Sequence, residues 1–87
     1  MAYRIEIHRA AQKQLLSLPK EAQMELAQSI DELANTPRPA RCKKLSESRL
    51  WRVRVGRYRV VYAIDDESKL VTVVKVAIRG EDTYKKL

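Results

Sequence analysis

The stretch Leu50-Trp51-Arg52-Val53-Arg54-Val55-Gly56-Arg57-Tyr58-Arg59-Val60-Val61-Tyr62 constrains the fold of this chain more than any other. Both flanks of Gly56-Arg57 alternate apolar with polar residues, the period of a half-buried strand. A glycine leading a two-residue turn supplies the positive φ of a type II′ hairpin. Such a turn leaves no slack in register. Paired residue numbers must sum to 113, so Val55 faces Tyr58, Arg54 faces Arg59 and Val53 faces Val60. Arg52, Arg54, Arg59 and Val61 then share one sheet face, while Val53, Val55, Tyr58, Val60 and Tyr62 share the other. The second set is a core surface. The first puts two arginines directly opposite each other, which is destabilising unless an anion lies between them.

The rest of the chain supplies the elements that pack on this hairpin. Residues 3–8 alternate as a strand, and from residue 9 to 17 the period lengthens, with Ala11, Leu15 and Leu18 at helical spacing. Pro19 ends this helix and suits the first position of a second one. There Ala22, Leu26, Ile30 and Leu33 form one apolar stripe, with Glu25, Gln28 and Glu32 outside it. Asn35-Thr36-Pro37-Arg38-Pro39 stops the second helix. Residues 41–45 read as a short strand, Ser46-Glu47-Ser48 and residues 65–69 as polar turns, and residues 70–78 as a last strand closed by Gly80. Core parity places Leu70, Val74, Val76 and Ile78 inward with Tyr62 and Ile64. That leaves Lys75, Ala77 and Arg79 on the face of Arg54 and Arg59. The expectation is an α+β fold, an antiparallel β-sheet with an N-terminal helical hairpin packed on one face, in the order β-α-α-β-β-β. At 87 residues it forms one domain, 1–87, without repeats or linkers.

Composition narrows the chemistry. One His and one Cys exclude a zinc site, a Cys–His nucleophile and a histidine pair, and Cys42 has no partner for an internal disulfide. Lacking a signal peptide and a run of ~20 apolar residues, the chain reads as cytoplasmic, with no membrane contact. Charge is concentrated: residues 38–59 hold nine basic residues and the single acid Glu47, a net +8 in a chain whose total is +7. A basic block on a small domain points to a polyanion. Arg52, Arg54, Arg59, Lys75 and Arg79 gather on one face, and arginine forks suit bidentate phosphate binding. The second helix, with Glu21, Glu25, Asp31 and Glu32, has the wrong charge for a DNA-groove reader.

The basic hairpin followed by Tyr-Arg-x-x-Tyr (Tyr58 to Tyr62), the helical hairpin ending near Pro37, and the last strand leading to Arg79 and Tyr84 resemble the RelE/ParE superfamily of bacterial and archaeal toxins over the whole chain. The resemblance implies the toxin of a type II toxin–antitoxin system. On the RelE side, this means a ribosome-dependent endoribonuclease (mRNA interferase) that cuts mRNA in the A site and inhibits translation, without metal or cofactor. Its implied partners are the ribosome, mRNA and a neutralising antitoxin over the basic face. The alternative is a ParE-like inhibitor of DNA gyrase with no nuclease activity.

Carried over by motif, Arg59 matches the family arginine after the hairpin tyrosine, Arg79 the one ending the last strand, and Tyr84 the tyrosine near the C-terminus. Arg52 and Arg54 stand where the best-known RelE branch has lysines, and Ile78 stands where many members have histidine. Cleavage through the 2′-hydroxyl needs a base, cations for the transition-state dianion, and an acid for the leaving oxygen. Arg54, Arg59 and Arg79 supply the cations but no base, because arginine keeps its proton. Tyr84 is the favoured proton-moving side chain and Lys75 the alternative. The expected catalytic set is Arg54, Arg59, Arg79 and Tyr84. Arg52 and Lys75 bind substrate, and Lys43 and Lys44 extend the RNA or ribosome footprint. Trp51, Tyr58 and Tyr62 read as packing residues, His8 has no assigned role, and Asp65-Asp66-Glu67 reads as a turn.

Overall fold

A computed structural model describes residues 2–45 and 49–78. The turn expected at residues 46–48 and everything beyond Ile78, including Arg79, Gly80 and Tyr84, lie outside the described residues. The chain runs β1 (Arg4–Ile7), α1 (Arg9–Leu16), α2 (Lys20–Glu32), β2 (Lys43–Lys44), β3 (Leu50–Val55), β4 (Tyr58–Asp65) and β5 (Leu70–Ile78).

Both helices begin and end for identifiable reasons. His8 does have a role: it is the N-cap of α1, its Nδ1 accepting a hydrogen bond of 3.3 Å from the Ala10 N–H. Pro19, extended at ψ 152°, is the N-cap of α2, one position ahead of its expected place inside the helix. The Gln23 amide donates to the carbonyls of Leu16 (3.3 Å) and Leu18 (2.8 Å), groups that the end of α1 leaves without helical partners. The apolar stripe of α2 falls as its spacing requires, with Ala22, Leu26, Ile30 and Leu33 all buried.

The five strands form one sheet in the order β1-β5-β4-β3-β2. Strands β2 to β5 are antiparallel neighbours, whereas β1 joins the edge parallel to β5, so the sheet is mixed rather than wholly antiparallel. Alternation marks Ile5 and Ile7 as core-facing but says nothing about strand direction. That direction is set by where the helical hairpin returns the chain.

The β3–β4 hairpin has the deduced register, Arg54 opposite Arg59 and Val55 opposite Tyr58. Gly56 has φ +61°. That left-handed conformation is what calls for glycine; an added Cβ would also sit 3.1 Å from Oε2 of the exposed Glu25 side chain on α2. Strand β5 departs from simple alternation. Val61 pairs with Lys75 but Tyr62 pairs with Val73, leaving Val74 as an extra residue in a bulge. Beyond the bulge, parity reverses. Val71 and Val73, both fully buried, hold the inward positions expected for Leu70 and Val74, while Val76 and Ile78 keep the expected inner parity. The Val76 N–H donates to Gln14 Oε1 of α1 at 2.8 Å, fastening the strand just past the irregularity. The core lies between the helices and the inner sheet face, where Leu26, Leu33, Val53, Val60 and Tyr62 are buried and the Tyr62 hydroxyl donates to the Pro37 carbonyl at 2.8 Å.

Candidate nucleic-acid interface

The outer face of the sheet carries no helix among the described residues, and strand register decides what stands on it. Directly opposed residues of neighbouring strands share a face. One row across the sheet is therefore Lys43 (β2), Arg52 (β3), Val61 (β4) and Lys75 (β5). The next row, toward the Gly56 turn, is Arg54 (β3), Arg59 (β4) and Ala77 (β5). Lys43, Arg54 and Lys75 are exposed, and Arg52 and Arg59 are half-buried. Between Arg52 and Lys75, Val61 is only 9% exposed, so the row has an apolar floor beneath its cationic heads.

The bulge matters here, because it is what puts Lys75 in register with Val61 and hence on this face. The far end of the same face is different. There Arg4, Glu6, Leu50, Ala63, Asp65, Leu70 and Thr72 take the outward positions. Both acids on the outer face among the described residues, Glu6 and Asp65, lie at this end. Glu6 is within 3.9 Å of Arg4, and the Asp65 carboxylate accepts from the backbone N–H groups of Glu67 and Ser68. Those amides, Ser68 first, hold the Asp65 carboxyl below its ordinary range.

The sequence-expected set thus divides. Arg52, Arg54, Arg59, Lys75 and Lys43 come together on one half of one face. Lys44 does not join them: it pairs with Trp51 on the inner side, its Nζ 6.0 Å from the indole centroid. Adjacent residues of a strand point to opposite faces, so two consecutive lysines cannot serve the same surface. Arg79 and Tyr84 lie outside the described residues.

A second charged cluster escaped sequence reasoning. Arg38 grips Asp66 with two bonds, Nη1 to Oδ1 at 3.3 Å and Nη2 to Oδ2 at 2.8 Å, and its guanidinium carbon stacks 5.1 Å from the Trp51 centroid. The Tyr3 hydroxyl donates to Asp66 Oδ1 at 2.6 Å, and Lys69 Nζ stands 5.4 Å from the Tyr3 centroid. The Arg38 guanidinium and then the Tyr3 hydroxyl hold the Asp66 carboxyl below its usual range, while donation to Asp66 pushes the Tyr3 phenol up. Burial, followed by Cys42, raises the Tyr62 phenol well above its ordinary value. These contacts fasten the segment after α2 to the sheet. No local signal announces them, because Arg38 and Asp66 are 28 residues apart in sequence.

Known proteins carry the same plan. The family described as "ParE toxin of type II toxin-antitoxin system, parDE" matches residues 5–83. The chain belongs to the RelE/ParE toxin superfamily. It is 30% identical over 89 residues to a Methanocaldococcus jannaschii protein named "Putative toxin RelE1", covering 98% of each chain. A chain of the archaeal RelE–RelB complex from Pyrococcus horikoshii superposes with a TM-score of 0.83 at 33% identity, over 94% of this toxin and 100% of that chain. A chain of the RelBE2 toxin–antitoxin complex of Mycobacterium tuberculosis gives 0.82 at 26% identity, over 91% of this toxin and 100% of that chain. The isolated E. coli RelE toxin shares the fold, with a TM-score of 0.80 at 22% identity over 98% of this toxin and 93% of that chain. No helix among the described residues of the toxin is long and apolar enough to cross a membrane.

Proposed function

We propose that this toxin is a ribosome-dependent endoribonuclease that cleaves mRNA in the A site. The observation that carries the reading is the convergence of Lys43, Arg52, Arg54, Arg59 and Lys75 on half of one sheet face that holds no acid among the described residues. Arg54 and Arg59, opposed across the hairpin, grip the scissile phosphate and stabilise the dianion that forms as the 2′-oxygen attacks. Arg79 completes the cation set, and Tyr84, with Lys75 as the alternative, moves the proton. Arginines hold but do not deprotonate, so most of the rate comes from orientation and charge stabilisation. A site of that kind needs its substrate delivered in a fixed geometry, which is the part the ribosome plays.

The Pyrococcus neighbour is a chain of a RelE–RelB complex and the Mycobacterium neighbour a chain of a toxin–antitoxin complex. By the same logic this toxin is neutralised by an antitoxin whose acidic or amphipathic segment covers the cationic face. Primer extension on mRNA incubated with the purified toxin, with and without programmed ribosomes, tests the reading. Cuts at A-site codons in the ribosome sample alone support it, and intact RNA in both samples overturns it. The ParE family match favours a second reading, in which the same face binds DNA gyrase. A supercoiling assay inhibited by the toxin, alongside intact mRNA, identifies that case.

A further inference from the structure

The two halves of the outer face differ in charge along the strands but not across them. Travelling along β4 from Arg59 through Val61 and Ala63 leads to Asp65, and along β5 from Lys75 to Thr72 and Leu70; Glu6 stands beside Thr72 on β1. A polyphosphate laid along the strands would leave the two cationic rows within two residue steps and meet two carboxylates, with Arg4 engaged by Glu6 as the cation beside them. Travelling across the strands, it stays among cations from one edge of the row to the other. At ~4.8 Å per strand, Lys43 and Lys75 are separated by three strand steps, or about 14 Å, and the two rows lie about 7 Å apart.

Resting on the nuclease reading above, we propose that the single-stranded RNA crosses the sheet, entering over the β2 edge at Lys43, following the row Lys43–Arg52–Val61–Lys75 toward β5, with Arg54 and Arg59 alongside. Arg52 and Lys75 flank the chain at either side of the Val61 floor. Lys43 is the outermost positioning contact, one that a catalytic description of the hairpin omits. The Glu6 and Asp65 end lies outside the path and makes no contact with the strand. Lys44, one residue from Lys43 and equal in charge, lies under the sheet edge against Trp51 and outside the path.

That pair of lysines supplies the test. A diffuse field would register the loss of either one equally, whereas a defined path registers one. Binding of the full-length toxin to a fluorescent 2′-O-methyl RNA 12-mer, which the toxin cannot cleave, is measured by anisotropy over a range of KCl concentrations. Each phosphate contact on a single strand contributes about 0.7 to the slope of log K against log salt. Lys43→Ala and Lys75→Ala are each expected to flatten that slope by about 0.7 and weaken binding several-fold. Lys44→Ala leaves the slope as in wild type, and Glu6→Gln leaves affinity unchanged.

Equal effects of Lys43→Ala and Lys44→Ala overturn the path, as does a clear gain in affinity from Glu6→Gln, which would mean that the strand runs toward the acidic end. The two failures separate cleanly. If the lysines are equivalent but ribosome-dependent cleavage is present, the nuclease reading stands without this path. If the asymmetry is present but no mRNA is cut, the path stands as that of a binding protein.

Discussion

The hairpin end and the β4–β5 turn end of the same sheet use the same residue types to opposite purpose. At the turn end, Arg38 has two bonds to Asp66 and an indole beneath it, and Tyr3 shares the same carboxylate. The Arg38 guanidinium there meets its opposite charge in Asp66, and the result is a fastening that holds the segment after α2. At the hairpin end, strand register forces Arg54 against Arg59 and lines up Lys43, Arg52 and Lys75. Like charges held together by the backbone cost stability, and a bound phosphate reverses that cost. An arginine therefore cannot be judged by its type. What it faces decides whether it holds the fold or meets a ligand.

Several variants break or sharpen this contrast. The largest change is expected from Leu26→Ala, which empties a fully buried position of the shared core. It should cost about 2–5 kcal/mol in urea denaturation, with the two ends lost together. Arg54→Ala and Arg59→Ala should each reduce ribosome-dependent cleavage by at least ~10-fold in protein that remains folded, since they remove transition-state charge stabilisation rather than core. Gly56→Ala forces a Cβ onto a backbone at φ +61° and toward Glu25 Oε2. A destabilisation of about 1–2 kcal/mol is expected for the left-handed conformation, accompanied by reduced cleavage as the register of the arginine pair loosens.

The smallest effect concerns pH. Asp66, with its carboxyl depressed in the fold, contributes stability above its unfolded value of about 4, and that stability is lost as pH falls through the lower folded value. Tyr3, raised in the fold, contributes below about 10 and loses its share as pH rises through the higher folded value. Denaturation midpoints of Asp66→Asn should accordingly change less than those of wild type between pH 5 and 2, about the window of that loss. An identical acid limb in both proteins would show that the fastening is idle.

Much of the fold was legible because local rules fixed it. Gly56-Arg57 set the hairpin register, and the 3.6-residue period of Ala22, Leu26 and Ile30 set the buried side of α2. The parallel pairing of β1 was not legible, since alternation carries faces and not directions. The Val74 bulge was hidden for a related reason. Val71, Thr72, Val73 and Val74 are all good strand formers with little polar contrast, so nothing in their order fixes parity. The cationic set of the site could be read from the hairpin arithmetic, and Lys75 arrived on the expected face because the parity error lay on the other side of the bulge. Lys43 and Lys44 group together in sequence because adjacent lysines look alike there, and they part only once a strand sends them to opposite faces. Arg38, Asp66 and Tyr3 meet only through tertiary packing, so their cluster could not be anticipated.

The central claim is that arginines at the two ends of one sheet do different work, and one paired measurement tests it directly. Cleavage of mRNA on programmed ribosomes and the thermal unfolding midpoint are determined for Arg54→Ala and Arg38→Ala side by side. The expected result is that Arg54→Ala loses cleavage at a midpoint no lower than wild type, as relief of the like-charge pair requires, and Arg38→Ala lowers the midpoint while cleaving normally below it. Cleavage surviving in Arg54→Ala, or vanishing in folded Arg38→Ala, would contradict the account.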